Sequence, residues 1–230
     1  TDSNGCIENT SISISDNSPA SISYLSTDVL CYNGNDGAID ITLNGGNAPF
    51  VFNWTGPSGF TSNGQDINGL YAGTYVLNCI DAVNCNVNLN VIVSEPTQLF
   101  SVINSINTSC FSGNDGEVSA AVSGGEAPYS YTWFDNSAFT NVIGNSSNST
   151  NLSAGTYYVI VNDANGCWIQ DSATVSEPND IIVTTSSIDA TCGQNNGVIS
   201  VSNSIGGSGI YISEVWQDAN GNQVNNTTGI

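Results

Sequence analysis

Apolar and polar residues alternate along most of the chain in runs of six to eight, broken by Gly, Asn and Pro. In Gly73-Thr-Tyr-Val-Leu-Asn-Cys-Ile80, the period of two puts Tyr75, Leu77 and Cys79 on one face. In Gly155-Thr-Tyr-Tyr-Val-Ile-Val161 it does the same for Tyr157, Val159 and Val161. Ala38–Leu43 and Glu117–Val122 are β-rich runs bounded by Gly turns, and 86–93 and 168–175 read as return strands. No window carries a helical period with caps. The pattern predicts an all-β chain.

The strands recur as blocks. Cys31-Tyr-Asn-Gly-Asn-Asp-Gly37 aligns with Cys110-Phe-Ser-Gly-Asn-Asp-Gly116 and with Cys192-Gly-Gln-Asn-Asn-Gly197, at spacings of 79 and 82 residues. A Gly pair follows each Cys by 14 residues: Gly45-Gly46, Gly124-Gly125 and Gly206-Gly207. Next come Ala48-Pro-Phe-Val-Phe-Asn-Trp54 and Ala127-Pro-Tyr-Ser-Tyr-Thr-Trp133; in the third block Trp216 falls one position late. Leu70-Tyr-Ala-Gly-Thr-Tyr75 and Leu152-Ser-Ala-Gly-Thr-Tyr157 follow, then Asp81 to Cys85 with Pro96 and Asp163 to Cys167 with Pro178. Such a period marks a tandem array. The expected division is 1–19 as the last strand of a preceding repeat, 20–96 and 97–178 as complete repeats, and 179–230 as a truncated one. Thr1 opens on neither a charged stretch nor an apolar one, so the chain is expected to be a mature or internal piece.

Short strands at even spacing, about 80 residues a unit, predict tandem immunoglobulin-like or PKD-like β-sandwiches arranged as an elongated rod. Trp54 and Trp133 are the expected core plugs. Tyr75 and Tyr157 are the expected tyrosine corners. Gly45, Gly46, Gly124 and Gly125 are read as structural turn residues.

Composition then removes whole classes of function. The 230 residues hold Asp+Glu 20, Lys+Arg 0 and His 0, a formal net charge of −20. No cation means no electrostatic footprint for nucleic acid or an anionic membrane, and no apolar run reaches spanning length. No His means no Ser–His or Cys–His dyad and no His-ligated metal. No Lys or Arg leaves no Schiff base, no P-loop and no carboxylate clamp. Asp36, Asp40, Asp81 and Glu95 recur as repeat or linker residues, and repetition argues against an active site. The chain is expected not to be an enzyme and to need no cofactor.

These motifs together resemble the SprB-type repeats of giant surface adhesins in gliding Bacteroidota: Cys-x-Gly-Asn-Asp-Gly, Gly-Gly-x-Ala-Pro-Tyr/Phe-x-x-x-Trp, and Ala-Gly-Thr-Tyr with Asp-Ala-Asn-Gly-Cys. The likeness covers nearly the whole chain. Asn84-Cys85, lacking the Gly before Cys, and the weakened third block depart from it. The resemblance implies an extracellular protein exported by the type IX route and displayed as a filament at the outer membrane. The implied partners are neighbouring repeats of the same longer chain, the secretion and motility machinery, and surface polysaccharide. Two other readings compete: a carbohydrate-binding module array of a secreted glycan-degrading protein, and a structural surface-layer or sheath protein.

Six of the seven cysteines fall at two repeat positions. Cys31, Cys110 and Cys192 sit after the first strand; Cys6, Cys85 and Cys167 sit at the last hairpin. Sandwich topology puts these positions at opposite ends of one unit, ~25 Å apart for strands of this length, while a disulfide needs Cα atoms within ~7 Å. The first turn of one unit instead abuts the last hairpin of the next, which favours Cys31–Cys167 across the repeat junction. Cys31–Cys85 with Cys110–Cys167 remains the alternative, because intra-domain bridges are common. The odd cysteine, Cys79, aligns with Val161 and is expected to be a buried thiol.

Asp36, Asp115 and Asp163 lie in oxygen-rich Asn/Asp/Gly segments and are weak Ca²⁺ candidates, lacking the alternating Asp spacing with a distal Glu; turn chemistry is the competing reading. Nonspecific Ca²⁺ binding to so acidic a surface is separately expected. Phe50, Phe52, Tyr129 and Tyr131 alternate beside the Trp residues, and one face of such a strand should be core. Trp168, opposite Asn86 in the alignment, is the better exposed contact.

Overall fold

A computed structural model describes residues 3–12 and 18–224. All its regular elements are strands apart from one 3₁₀ turn, Pro57–Gly59.

The first repeat runs β1 (Ser21–Thr27), β2 (Gly37–Asn44), β3 (Val51–Thr55), β4 (Thr61–Ser62), β5 (Ile67–Leu70), β6 (Gly73–Ile80) and β7 (Asn86–Val93). They form two antiparallel sheets, β1-β2-β5 and β4-β3-β6-β7. The second repeat is β8 (Phe100–Ile106), β9 (Gly116–Ser123), β10 (Ser130–Phe134), β11 (Val142–Gly144), β12 (Asn148–Leu152), β13 (Gly155–Asn162) and β14 (Trp168–Val175). Its sheets, β12-β9-β8 and β11-β10-β13-β14, repeat that order. The third begins the same way with β15 (Ile182–Ile188), β16 (Val198–Ile205), β17 (Trp216–Gln217) and β18 (Gln223–Val224), in two separate pairs.

Alternation sets what is buried. Ile39 and Ile41 of β2 face Tyr75, Leu77 and Cys79 of β6 and Val91 and Val93 of β7, with Trp54 between the sheets. Val118 and Ala120 face Tyr157, Val159, Val161 and Val175 around Trp133. Both Trp side chains are essentially inaccessible, at 1% and 0% exposure. Burial would strand each indole N–H, so each finds a carbonyl: Gly64 at 3.1 Å and Ser146 at 3.0 Å. Tyr75 Oη donates to Tyr71 O and Tyr157 Oη to Ser153 O, both at 2.9 Å, which makes them tyrosine corners. Phe50, Phe52, Tyr129 and Tyr131 pack half-buried against these cores and form no exposed platform.

Residues cluster into two compact units. One is Thr1–Leu99 with Gly124–Glu126 and Asn165–Cys167; the other is Phe100–Ser123, Ala127–Ala164 and Trp168–Ile230.

The Gly-Gly turns differ in how far they tolerate a side chain. Gly45 and Gly124 both adopt left-handed φ, +76° and +75°. A Cβ on Gly45 would meet nothing within 4 Å, whereas one on Gly124 would fall 1.9 Å from the Gln98 carbonyl oxygen. Gly45→Ala is therefore expected to cost only the conformational penalty, roughly 1 kcal/mol. Gly124→Ala must also displace backbone. Urea denaturation of the two variants should show the larger loss at position 124; equal losses would contradict this.

Candidate functional site

The chain's distinctive chemistry is the pair of turns that recurs in each repeat. The first turn joins β1 to β2. Cys31 O accepts from Gly34 N–H at 2.9 Å, and Asp36 Oδ1 accepts from Leu30 N–H at 3.2 Å. Asn33 sits at φ +59°, and its N–H donates to Glu95 Oε2 at 2.5 Å. The second repeat copies this. Cys110 O accepts from Gly113 N–H at 3.0 Å, and Asp115 Oδ1 from Ser109 N–H at 3.0 Å. Ser112, at φ +53°, donates its N–H to Glu177 Oε2 at 2.6 Å. In the third repeat, Asn196 Oδ1 takes the place of the carboxylate, accepting from Thr191 N–H at 2.8 Å.

The last hairpin is built on a buried carboxylate. Asp81 Oδ1 accepts from Val83 N–H at 3.0 Å and Cys85 N–H at 2.8 Å; Oδ2 accepts from Asn47 N–H at 3.1 Å. Asp163 is buried at the equivalent position. The residue before each turn cysteine takes a left-handed φ, +63° at Asn84 and +84° at Gly166. Asn is the residue that best replaces Gly in that region, so the departure at Asn84-Cys85 keeps the turn.

The structure joins Cys31 to Cys167, with Cα atoms 5.6 Å apart at a sequence separation of 136. Beside the bond, Asn165 Nδ2 donates to Leu30 O at 2.9 Å. The bond and its flanking residues lie inside the first compact unit. The alternative pairs, Cys31–Cys85 and Cys110–Cys167, are thereby excluded. Cys110 and Cys192, at the first-turn position, are exposed thiols. Cys79 is buried, and burial, with the neighbouring Asp81 charge, raises its thiol above the ordinary range.

The Ca²⁺ candidates are turn residues by geometry. Asp36 and Asp115 spend a carboxylate oxygen on closing the cysteine turn, and Asp163 occupies the hairpin position. No group of three or more Cys, Asp or Glu side chains gathers in metal-binding geometry among the described residues. No buried side-chain polar atom among them lacks a partner. Trp168 is 61% exposed on β14.

Sequence reasoning missed Glu95 and Glu177. It read Glu-Pro as a linker, whereas each Glu reaches back 62 and 65 residues to lock the cysteine turn of its own repeat. Asp28 and Asn107 act alike, accepting from Ser94 and Ser176 N–H at 2.8 and 2.9 Å. The signal was their recurrence at fixed repeat positions.

These carboxylates carry a pH signature. Burial pulls the Asp81 carboxyl upward, but N–H donors from Cys85, Asn47 and Val83 outweigh it, and its pKa falls below the ordinary range. The Ser109 side chain and then its N–H lower Asp115 likewise. A carboxylate depressed in the folded state holds fewer protons there than in the unfolded chain, so its contribution is complete above about pH 4 and fades below it. Relief of the −20 self-repulsion works the other way on acidification. Comparing the wild type with Asp81→Asn separates the two. The gap in Tm between them should be largest at pH 7 and narrow by pH 3; a gap independent of pH would contradict the assignment.

Residues 23–59 and 103–138 match the family model of the SprB repeat. Two segments of the chain, one in each of the first two repeats, are thus similar to the SprB repeat. The two matched segments begin in β1 and β8 and contain both cysteine turns, both Gly-Gly turns and both core Trp residues. None of the curated proteins matches the chain. Among solved structures, a C-terminal 282-residue fragment of intimin, in complex with the intimin-binding domain of the translocated intimin receptor, is similar at 17% identity and TM-score 0.39, over 71% of this chain and 67% of that one. DIP-gamma IG1+IG2 is similar at 12% identity and TM-score 0.38, over 70% and 98%. The N-terminal eight Ig domains of Down Syndrome Cell Adhesion Molecule isoform 1.30.30 give 13% and 0.36, over 69% and 25%. The chain spans less than half the length of the first three Dscam structures it resembles. No helix among the described residues is long and apolar enough to cross a membrane.

Proposed function

We infer that this chain is a stalk segment of a filamentous cell-surface adhesin, extending and transmitting force instead of turning over a substrate. The observation that carries this reading is the Cys31–Cys167 bond, which ties the first turn of one SprB repeat to the last hairpin of the next. A covalent link of that kind serves a chain under tension, because pull on the termini bypasses residues 32–166, the stretch between the bonded cysteines. The lack of Lys and Arg also leaves no site for trypsin-like proteases in an extracellular setting.

The finer placement follows from the SprB resemblance: export by the type IX route, attachment at the outer membrane, and a role in gliding or surface attachment. Neighbouring repeats are the closest partners, with the secretion and motility machinery at the base and polysaccharide at the surface gripped. Exposed Trp168 favours the second reading, a carbohydrate-binding module array. A glycan array probed with the whole chain separates them. The stalk reading predicts no saturable binding. Saturable binding lost in Trp168→Ala would replace it with the module reading.

A further inference from the structure

Among the described residues of the third repeat, a face equivalent to the core faces of the first two is left open. Ile199 occupies the β16 position of Ile39 in β2 and Val118 in β9. Those two are 0% exposed, whereas Ile199 is 49% exposed. Ile181, Val183, Ile199, Val201, Ile212 and Trp216 line a cavity of about 930 Å³ on this face. Trp216 is only half-buried, while its counterparts Trp54 and Trp133 are sealed.

The same molecule shows twice what belongs there. Over β2 lies the β6–β7 hairpin, with Tyr75, Leu77, Val91 and Val93 inward. Over β9 lies the β13–β14 hairpin, with Tyr157, Val159, Val161 and Val175 inward. The geometry points to the β15–β16 face as an acceptor for an antiparallel β-hairpin of the repeat's own pattern, Gly-Thr-Tyr-x-Val-x-Val returning through a Val-rich strand. In both complete repeats the hairpin lies across this face and pairs its main chain with the Trp-bearing strand of the other sheet, β3 or β10, so alternate apolar side chains in the cavity and pairing with the segment that leads into Trp216 supply the recognition. The hairpin also carries a cysteine at its turn. Cys167, at the β13–β14 turn, bonds the first-turn cysteine of the preceding repeat, Cys31. By the same repeat geometry, a hairpin seated on the third repeat brings its turn cysteine to the first turn of the second repeat, where Cys110 is exposed. This inference stands independently of the adhesive reading.

The test uses the whole oxidised chain and a synthetic peptide of residues 152–178, its cysteine supplied as a mixed disulfide with glutathione. Cys110 thiolate attacks the peptide sulfur, the new S–S bond forms, and glutathione leaves as the thiolate and takes up a proton, with no net oxidation. Seating raises the effective concentration at one thiol, so mass spectrometry should find the adduct at Cys110 at least about tenfold above those at Cys6 and Cys192. A peptide carrying Tyr157→Asp and Val159→Asp should lose that preference. Equal adducts at all three thiols, an equal yield with the altered peptide, or dimerisation of the chain through this face that the peptide does not displace would each overturn the inference.

Discussion

Reducing the Cys31–Cys167 bond is expected to destabilise the chain by about 4–5 kcal/mol, the chain-entropy value for closing a loop of over a hundred residues. The two cysteines here are separated by 136 in sequence, a span that takes in most of the first and second repeats. The constraint acts on the unfolded state, so its full weight is felt only when the whole stretch between the sulfurs is unfolded. Unfolding one repeat alone frees a shorter loop and recovers less. Guanidinium denaturation of the oxidised chain should therefore give a higher midpoint than the reduced chain, and Cys31→Ala with Cys167→Ala should match the reduced one. A double variant as stable as the oxidised wild type would show that the bond contributes nothing to the fold.

Losing a Trp plug should cost nearly as much, but locally. Trp54→Ala removes a side chain 1% exposed and leaves the Gly64 carbonyl without its indole donor. Cavity and lost transfer together are expected to cost about 3–5 kcal/mol, as for large aromatic truncations generally. A repeat of about 80 residues has little more than that to lose. Trp54→Ala is expected to unfold the first repeat and leave near-native hydrogen-exchange protection in β13 and β14. Trp133→Ala should do the reverse. Loss of protection in both repeats from either variant would contradict separate cores.

Much of this architecture was legible because alternation is local. The runs around Tyr75 and Tyr157 specify both a strand and its buried face, and the tyrosine corners needed only a hydroxyl four residues from its carbonyl. Alignment of Cys79 with Val161 was enough to place that thiol in the core. The cysteine pairing required one further step, that strand direction separates the two turns of a single sandwich. What stayed hidden depends on distant partners. Glu95 and Glu177 look like linker residues because their acceptor role is set 62 and 65 residues upstream. Phe139 is similar. Its ring packs edge-on against Phe134 and Tyr158, a second apolar cluster that period-two reading assigns to the outer face of β10 and β13. No short-range pattern marks a loop that folds back over a sheet.

Stretching single molecules of the chain by their ends, with and without reductant, tests most directly the claim that a sulfur bridge lets tension bypass the interior. With the bridge intact, the fully extended chain should fall short by about 450–490 Å, the reach of a sequence separation of 136 between its cysteines. That length should appear on reduction. The same final length in both conditions would contradict the account.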